Sequence, residues 1–214
     1  MNRFFRVSPL LCAAVLLFSC GNKLPSDAAS AASGGGKPRR YTYRMTGSSP
    51  STWSPTDCQN SSETFPLEYI CDSLYEFDLN ETRNGYVVEP GMAVGQPEDV
   101  TSSYAGRYGV PDDATAGYAW KIRLRDDLCW DDGEKIDVED FIYSVKQFLN
   151  PEMKNFRANL LYEDSIPLAG AEAYYKGEGP WKDVGFIRDD DLTFTVVLKT
   201  SLTPFMFMYN SGSL

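Results

Sequence analysis

Five cysteines, thirty carboxylates and no histidine set the chemistry open to this chain of 214 residues. Without an imidazole the chain holds no Ser-His or Cys-His nucleophilic pair, no histidine metal ligand, and no side chain whose unperturbed pKa lies near neutrality. Cys12, Cys20, Cys58, Cys71 and Cys129 form no CxxC pair and none of the spacings of a structural zinc site, so neither metal nor cofactor is expected. The carboxylates remain. Two of them flanking a bond suffice for glycoside hydrolysis, but the acids here fall in turns and at a helix start, where solvation and capping already account for them. Asp189, Asp190 and Asp191 lack the ligand spacing of a calcium loop and read as a turn. The chain is read as a non-enzyme.

The formal charge is −10 at pH 7. Arg3 and Arg6 are the only charged residues among the first nineteen, so the remainder is more acidic still. Such a surface repels phosphate backbones, which argues against a nucleic-acid partner. With 43% hydrophobic and 14% aromatic residues, the chain has enough apolar surface to bury a core, so disorder throughout is excluded.

The first forty residues read as an address. Residues 1–6 are a short basic region, and 7–18 are an apolar run that would be about 18 Å long as a helix, against a bilayer core of about 30 Å. That length and flank fit a secretory signal peptide over residues 1–19. The run ends in Leu17-Phe18-Ser19-Cys20-Gly21, which resembles a bacterial lipobox, with Phe18 bulkier than the usual residue there. The resemblance implies that Cys20 becomes the lipid-bearing N-terminus. Residues 20–40, rich in Ser, Ala and Gly with Gly34-Gly35-Gly36, read as a flexible tether. Folding is expected to begin near Tyr41.

Beyond that point the elements that position any site can be read from periodicity. Tyr41-Thr42-Tyr43-Arg44-Met45 alternates like a strand. Residues 48–55, with Pro50 and Pro55, break regular structure. Pro66 suits the first turn of a helix carrying Leu67, Ile70, Cys71 and Leu74 on one face, which would make Cys71 a small core residue. A disulfide joining two of Cys58, Cys71 and Cys129 is open in an oxidising compartment, with Cys58 and Cys71 the nearest pair, though burial of Cys71 speaks against it. Residues 101–117 read as a surface loop. In the run 119–125, Trp120, Ile122 and Leu124 face one way and Lys121, Arg123 and Arg125 the other. Asp131-Asp132-Gly133 supplies a turn, and Asp137 caps a helix over 138–149 with Glu139 and Asp140 in its first turn. A short helix over 170–175, a loop over 177–185 and a strand over 192–198 complete the pass. Strands and helices alternate irregularly, which predicts a mixed α+β fold rather than a doubly wound sheet.

The run Trp120-x-Ile122-x-Leu124-Arg125-Asp126-x-x-x-Trp130-x-Asp132-Gly133, followed by Val138-Glu139-Asp140-Phe141-x-x-Ser144 and closed by Asn150-Pro151, resembles the signature segment of the peptide/nickel-type (family 5) bacterial extracellular solute-binding proteins. Residues 169–175 with Val184-Gly185, and Asp190-Asp191-Leu192-Thr193 leading to Leu198, are similar to the segments that follow it in the family. Ser49-Pro50-Ser51-Thr52-Trp53-Ser54-Pro55 is similar to its first ligand-side loop, with Trp53 where leucine is more usual. The resemblance covers residues 41–214.

It implies a periplasmic-binding-protein-like type II (cluster C) architecture, of which residues 41–214 would be the N-terminal lobe and an incomplete part of the domain; the chain reads as truncated. It also implies an oligopeptide ligand, ABC permease and ATPase partners, and an extracytoplasmic, lipid-anchored location. Ser48, Ser49, Pro50, Ser51, Thr52 and Trp53 are the candidate ligand-binding residues. Trp120, Leu124, Arg125, Trp130, Asp132, Gly133 and Asp140 are assigned to the scaffold, Trp130 as a core residue. Other solutes (a dipeptide, a nickel chelate, an oligosaccharide), a peptide-pheromone receptor and, more remotely, a carboxylate-dependent glycosidase are the alternatives.

Overall fold

The computed structural model describes residues 49–58 and 60–214, all within one compact unit, Gly47–Leu214. The expected signal peptide, Cys20, the tether, the strand at Tyr41–Met45 and Ser48 lie outside the described residues. In chain order the elements are α1 (Ser61–Leu67), β1 (Tyr75–Leu79), β2 (Tyr86–Pro90), β3 (Glu98–Asp99), β4 (Ala119–Arg123), α2 (Val138–Phe148), α3 (Ala171–Tyr175), β5 (Phe186–Arg188), β6 (Thr193–Val197) and α4 (Pro204–Asn210). The mixed α+β expectation holds.

β1 and β2 form an antiparallel hairpin, Tyr75 opposite Pro90 and Leu79 opposite Tyr86. The other four strands make a sheet in the order β3-β4-β6-β5, antiparallel throughout. β4 and β6 are its centre, with Ala119 opposite Val197 and Arg123 opposite Thr193. On one face Trp120, Ile122, Leu124, Phe186, Phe194, Val196 and Leu198 meet Val138, Phe141, Ile142 and Val145 of α2 in the main core. Phe194 stacks on both Phe141 and Phe186, centroids 5.5 and 4.8 Å away.

The opposite face is covered too. Ala119, Val197, Ala169 and Val110 form a second, smaller core with Tyr104, Tyr108 and Tyr118 against it. Residues 101–117, expected as a surface loop, thus fold over the sheet. A buried Thr101 fixes them: its Oγ1 accepts the N–H groups of Tyr118 and Ala119 at 2.9 and 3.0 Å, while Asp99 accepts those of Thr101 and Gly117. Within the segment, turn hydrogen bonds such as Tyr104 N–H to Thr101 O and Val110 N–H to Arg107 O satisfy much of the backbone, and the two side chains tie its ends to the sheet.

α2 begins and ends as expected. Asp137 accepts the Glu139 N–H at 2.7 Å, and Asp140 accepts the Asp137 N–H at 2.9 Å, a reciprocal capping box. The helix before β1 differs from its expectation. It starts at Ser61, with the Glu63 and Thr64 N–H groups on the Asn60 carbonyl, and it closes at Leu67. Pro66 therefore sits in its last turn, where it offers no N–H to the preceding turn. Ile70 is 63% exposed and Cys71 is exposed, so the expected apolar face does not form and Cys71 is not a core residue.

Candidate functional site

Residues 49–53 precede α1 as irregular backbone, with Ser49, Ser51 and Trp53 exposed and Pro50 and Thr52 half-buried. Pro50 within this stretch and Pro55 just beyond it each remove a backbone donor and bias the preceding residue toward extended conformations, which keeps the segment out of helix and sheet. Trp53 is 61% exposed, a large aromatic surface held at the end of the loop. Order comes from side chains. The Ser51 hydroxyl donates to the buried carboxylate of Glu63 on α1, and the Thr52 Oγ1 accepts the Ser54 N–H at 3.0 Å.

The turn that follows is tied down at three consecutive carbonyls. Ser54 O accepts the Asp57 N–H at 3.1 Å and the Cys58 thiol at 3.3 Å. Pro55 O accepts from Arg157 Nη1 at 3.1 Å, and Thr56 O from Asn155 Nδ2 at 3.0 Å. Glu63, Asn155 and Arg157 were not singled out in the sequence. Nothing in local periodicity marks them, because Asn155 and Arg157 act across separations of 99 and 102 residues. Burial pushes the Cys58 thiol pKa up, and the Glu63 carboxylate adds to the effect. Cys58 is buried, Cys71 and Cys129 are exposed, and all three are free thiols, so the disulfide left open by the sequence does not form here.

The scaffold residues gather around the end of β4. Trp120 and Leu124 are buried, and the indole N–H of Trp120 donates to Gly117 O. Arg125 is bidentate to Asp127 and donates to Gly91 O at 3.1 Å. The Arg125–Asp127 pair, 45% and 64% exposed, is a surface interaction of small energetic worth. Lys135 Nζ caps Asp126 O, and Asp132 accepts the Glu134 N–H at 3.0 Å. Gly133 turns the chain at φ 91°, a conformation open to glycine at little cost.

Trp130 is a correction. It was expected in the core and is 50% exposed. Its backbone closes the turn, N–H to Glu134 O and carbonyl to the Gly133 N–H, so it stands at the tip of the corner. Leu128 and Ile136, flanking the tip, are the residues that reach the core instead. The 49–56 segment and the corner remain separate clusters: the hydrogen bonds of the first run to Glu63, Asn155 and Arg157, and the corner's to Gly91, Asp127 and its own backbone.

Two open concavities on the described surface are lined by Asp78, Leu79, Asn80, Glu81, Thr82, Val87 and Glu89, and by Arg107, Tyr108, Lys182 and Asp183. Neither includes residues 49–53. Among the described residues no group of three or more His, Cys, Asp or Glu side chains is placed to hold a metal, and no helix is long and apolar enough to cross a membrane.

The described residues thus present an antiparallel sheet covered on both faces, with an exposed loop braced separately from it. Residues 99–213 match the family described as bacterial extracellular solute-binding proteins, family 5 Middle, and the chain belongs to that family. Among solved structures, it is similar to the Haemophilus influenzae OppA in complex with the peptide RPPGFSPFR, with 20% identity and a TM-score of 0.56 over 73% of this chain and 26% of that one. It is similar also to the pheromone receptor PrgZ (18% identity, TM-score 0.61, 78% of this chain and 28% of that one). A third is a periplasmic oligopeptide-binding protein, OppAIV, from Borrelia burgdorferi, at 22% identity and a TM-score of 0.58 over 78% and 29% of the two chains. The chain thus spans little more than a quarter of the length of these structures, and at these identities the likeness is one of fold. No curated protein matches the chain.

Proposed function

We propose that this chain is part of a substrate-binding lipoprotein of an ABC importer, which captures oligopeptides outside the cytoplasmic membrane and hands them to the permease by closure of two lobes. The observation that carries this reading is the family match over residues 99–213. A fold shared with proteins whose structures concern bound peptides supports it. In this reading Cys20 bears the lipid, residues 20–40 are the tether, and the lobe described here supplies one wall of a cleft.

The loop from Ser48 to Trp53 would line that cleft. A receptor that accepts many peptide sequences must bind main chain and leave side chains in roomy pockets. The exposed Ser49 and Ser51 beside an exposed indole suit such a task, the serines for polar main-chain groups and the indole for apolar contact. Trp120, Leu124, Arg125, Trp130, Asp132, Gly133 and Asp140 would then serve the scaffold rather than the ligand. Nothing in this role calls for catalysis.

Calorimetric titration of the full-length protein with mixed peptides tests the proposal. Heat of binding with peptides is expected. Silence with peptides, together with clear binding of a nickel chelate or a sugar, would overturn the oligopeptide assignment. The likeness to a pheromone receptor favours one second reading, a sensor of peptides on the same scaffold. Loss of peptide uptake on deletion of the gene separates import from sensing.

A further inference from the structure

The three carbonyls of residues 54–56 sit at the base of the exposed loop 49–53, and two of them are held from a distant part of the chain. Asn155 is the centre of this arrangement. It is 7% exposed, and its amide is used from both ends: Oδ1 accepts the Arg157 N–H at 2.8 Å, while Nδ2 donates to Thr56 O at 3.0 Å. Its own carbonyl accepts the Tyr175 hydroxyl at 3.3 Å. Tyr175 belongs to α3 and stacks on Tyr162, centroids 5.5 Å apart. Arg157 adds the second tie, Nη1 to Pro55 O. On the other side of the loop, Ser51 is held by Glu63.

We propose that Asn155 and Arg157 are positioning residues for ligand capture, a bracket that holds the base of the 49–53 loop in its binding-competent shape before any ligand arrives. This rests on the reading of that loop as part of the cleft wall.

Several physical considerations make the bracket specific to the loop rather than part of general folding. The loop has no strand or helix to hold it, and Pro50 within it and Pro55 at its base lack backbone donors. Its alternatives to the bracket are hydration and motion. A surface loop freed of such ties samples many conformations, and apparent affinity falls by the fraction of the population that remains competent. Preorganisation therefore appears directly in the dissociation constant. The main core takes in the sheet, α2, α3, α4 and the neighbouring Ala158 and Leu161, but it includes neither residues 49–58 nor the side chains of Asn155 and Arg157. Removing the bracket should loosen the loop and leave the core intact.

Asn155→Ser and Arg157→Ala in the full-length protein test this. A serine at 155 keeps an oxygen able to accept the Arg157 N–H, as Ser does in local turns, but lacks the amide that reaches Thr56. For each variant, affinity for the peptide mixture that the unaltered protein binds is expected to fall by about three- to tenfold, the usual range for one lost hydrogen bond. Peptide-resolved hydrogen exchange is expected to speed up over residues 51–58 and to stay unchanged over α2, with the melting temperature lowered by no more than the few degrees that one lost hydrogen bond costs.

If both variants bind peptide as well as the unaltered protein, or if exchange over 51–58 does not change, the bracket has no positioning role and the inference falls while the peptide-binding reading stands. If affinity falls only in step with melting temperature and exchange rises across α2 as well, the residues are merely structural and the inference also falls. Failure of the unaltered protein to bind any peptide would sink the peptide-binding reading, and with it the role of this bracket in capture.

Discussion

The indole of Trp120 on β4 lies stacked against the ring of Phe207 on α4, centroids 5.3 Å apart and planes 22° apart, with both residues buried. This contact fastens the C-terminal helix to the centre of the sheet. Phe205 and Tyr209, on the same helix, reach the β1–β2 hairpin instead, both packing near Phe77. α4 therefore bridges the two sheets. Phe207→Ala is expected to cost about 3–5 kcal/mol, the range for emptying an aromatic site in a packed core. Urea denaturation followed by tryptophan fluorescence checks it, and a loss under about 1 kcal/mol would mean that the site collapses or that α4 is not docked as described.

Tyr75 offers a substitution in the opposite direction. Its ring is buried, and among the described residues its hydroxyl has no hydrogen-bond partner. An unsatisfied buried hydroxyl costs about 1–3 kcal/mol. Tyr75→Phe is expected to be neutral or to raise stability by about 1 kcal/mol, read as an upward shift of the denaturation midpoint. The same burial pushes the Tyr75 pKa far above its ordinary value of 10.0. The unfolded chain therefore releases this proton first as pH rises, so the unaltered protein should lose stability progressively above pH 10. Tyr75→Phe should lose less over that range.

The capping box of α2 gives a graded prediction. Asp137→Ala removes the acceptor of the Glu139 N–H and is expected to cost about 1 kcal/mol. Asp140→Ala removes the acceptor of the Asp137 N–H and should cost a similar or smaller amount. Because the two side chains cap one helix start, the double variant should lose less than the sum of the single losses. Strict additivity in a double-mutant cycle would contradict the reciprocal geometry.

Thiol chemistry separates the three described cysteines. Cys71 and Cys129 are exposed, whereas Cys58 is buried and donates to Ser54 O. Burial raises the thiol pKa of Cys58 and of Cys71 alike, so access is what separates those two. Alkylation resolved by peptide mass mapping should modify Cys58 more than about tenfold slower than the other two, since access to the thiol is limiting. Denaturant should erase the difference. Cys58 reacting as fast as Cys71 in the folded protein would show that the turn at 54–58 is open.

At Gly185 the prediction is steric. A Cβ built there would lie 2.2 Å from the carbonyl oxygen of Val197, a backbone atom that cannot swing aside. Gly185 also donates to Ala169 O and accepts from the Val197 N–H, so a shift would break the ties of the 185 segment to the sheet. Gly185→Ala is expected to lower the melting temperature markedly, with a cost of about 1–3 kcal/mol or more. A variant as stable as the parent would mean that this segment does not pass so close to β6.

The sequence alone determined those elements whose signal is local. β4 declares itself by alternation at Trp120, Ile122 and Leu124, and α2 by a capping acid followed by an apolar stripe, because both burial faces and end-capping partners lie within a few residues of each other. The order of these elements around Asp132 and Gly133 was also enough to place the chain in its family. Tertiary structure decided the rest. Trp130 is apolar enough for a core, but its place at the tip of a turn carries it outward, and Leu128 and Ile136 pack in its stead. Residues 101–117 show no period, yet Thr101 and Asp99 fold them over the second face of the sheet. The Pro55 and Thr56 carbonyls below the 49–53 loop are held by Arg157 and Asn155, 102 and 99 residues away. Hydrogen bonds between such distant partners leave no periodic trace along the chain, so only folding brings them into view.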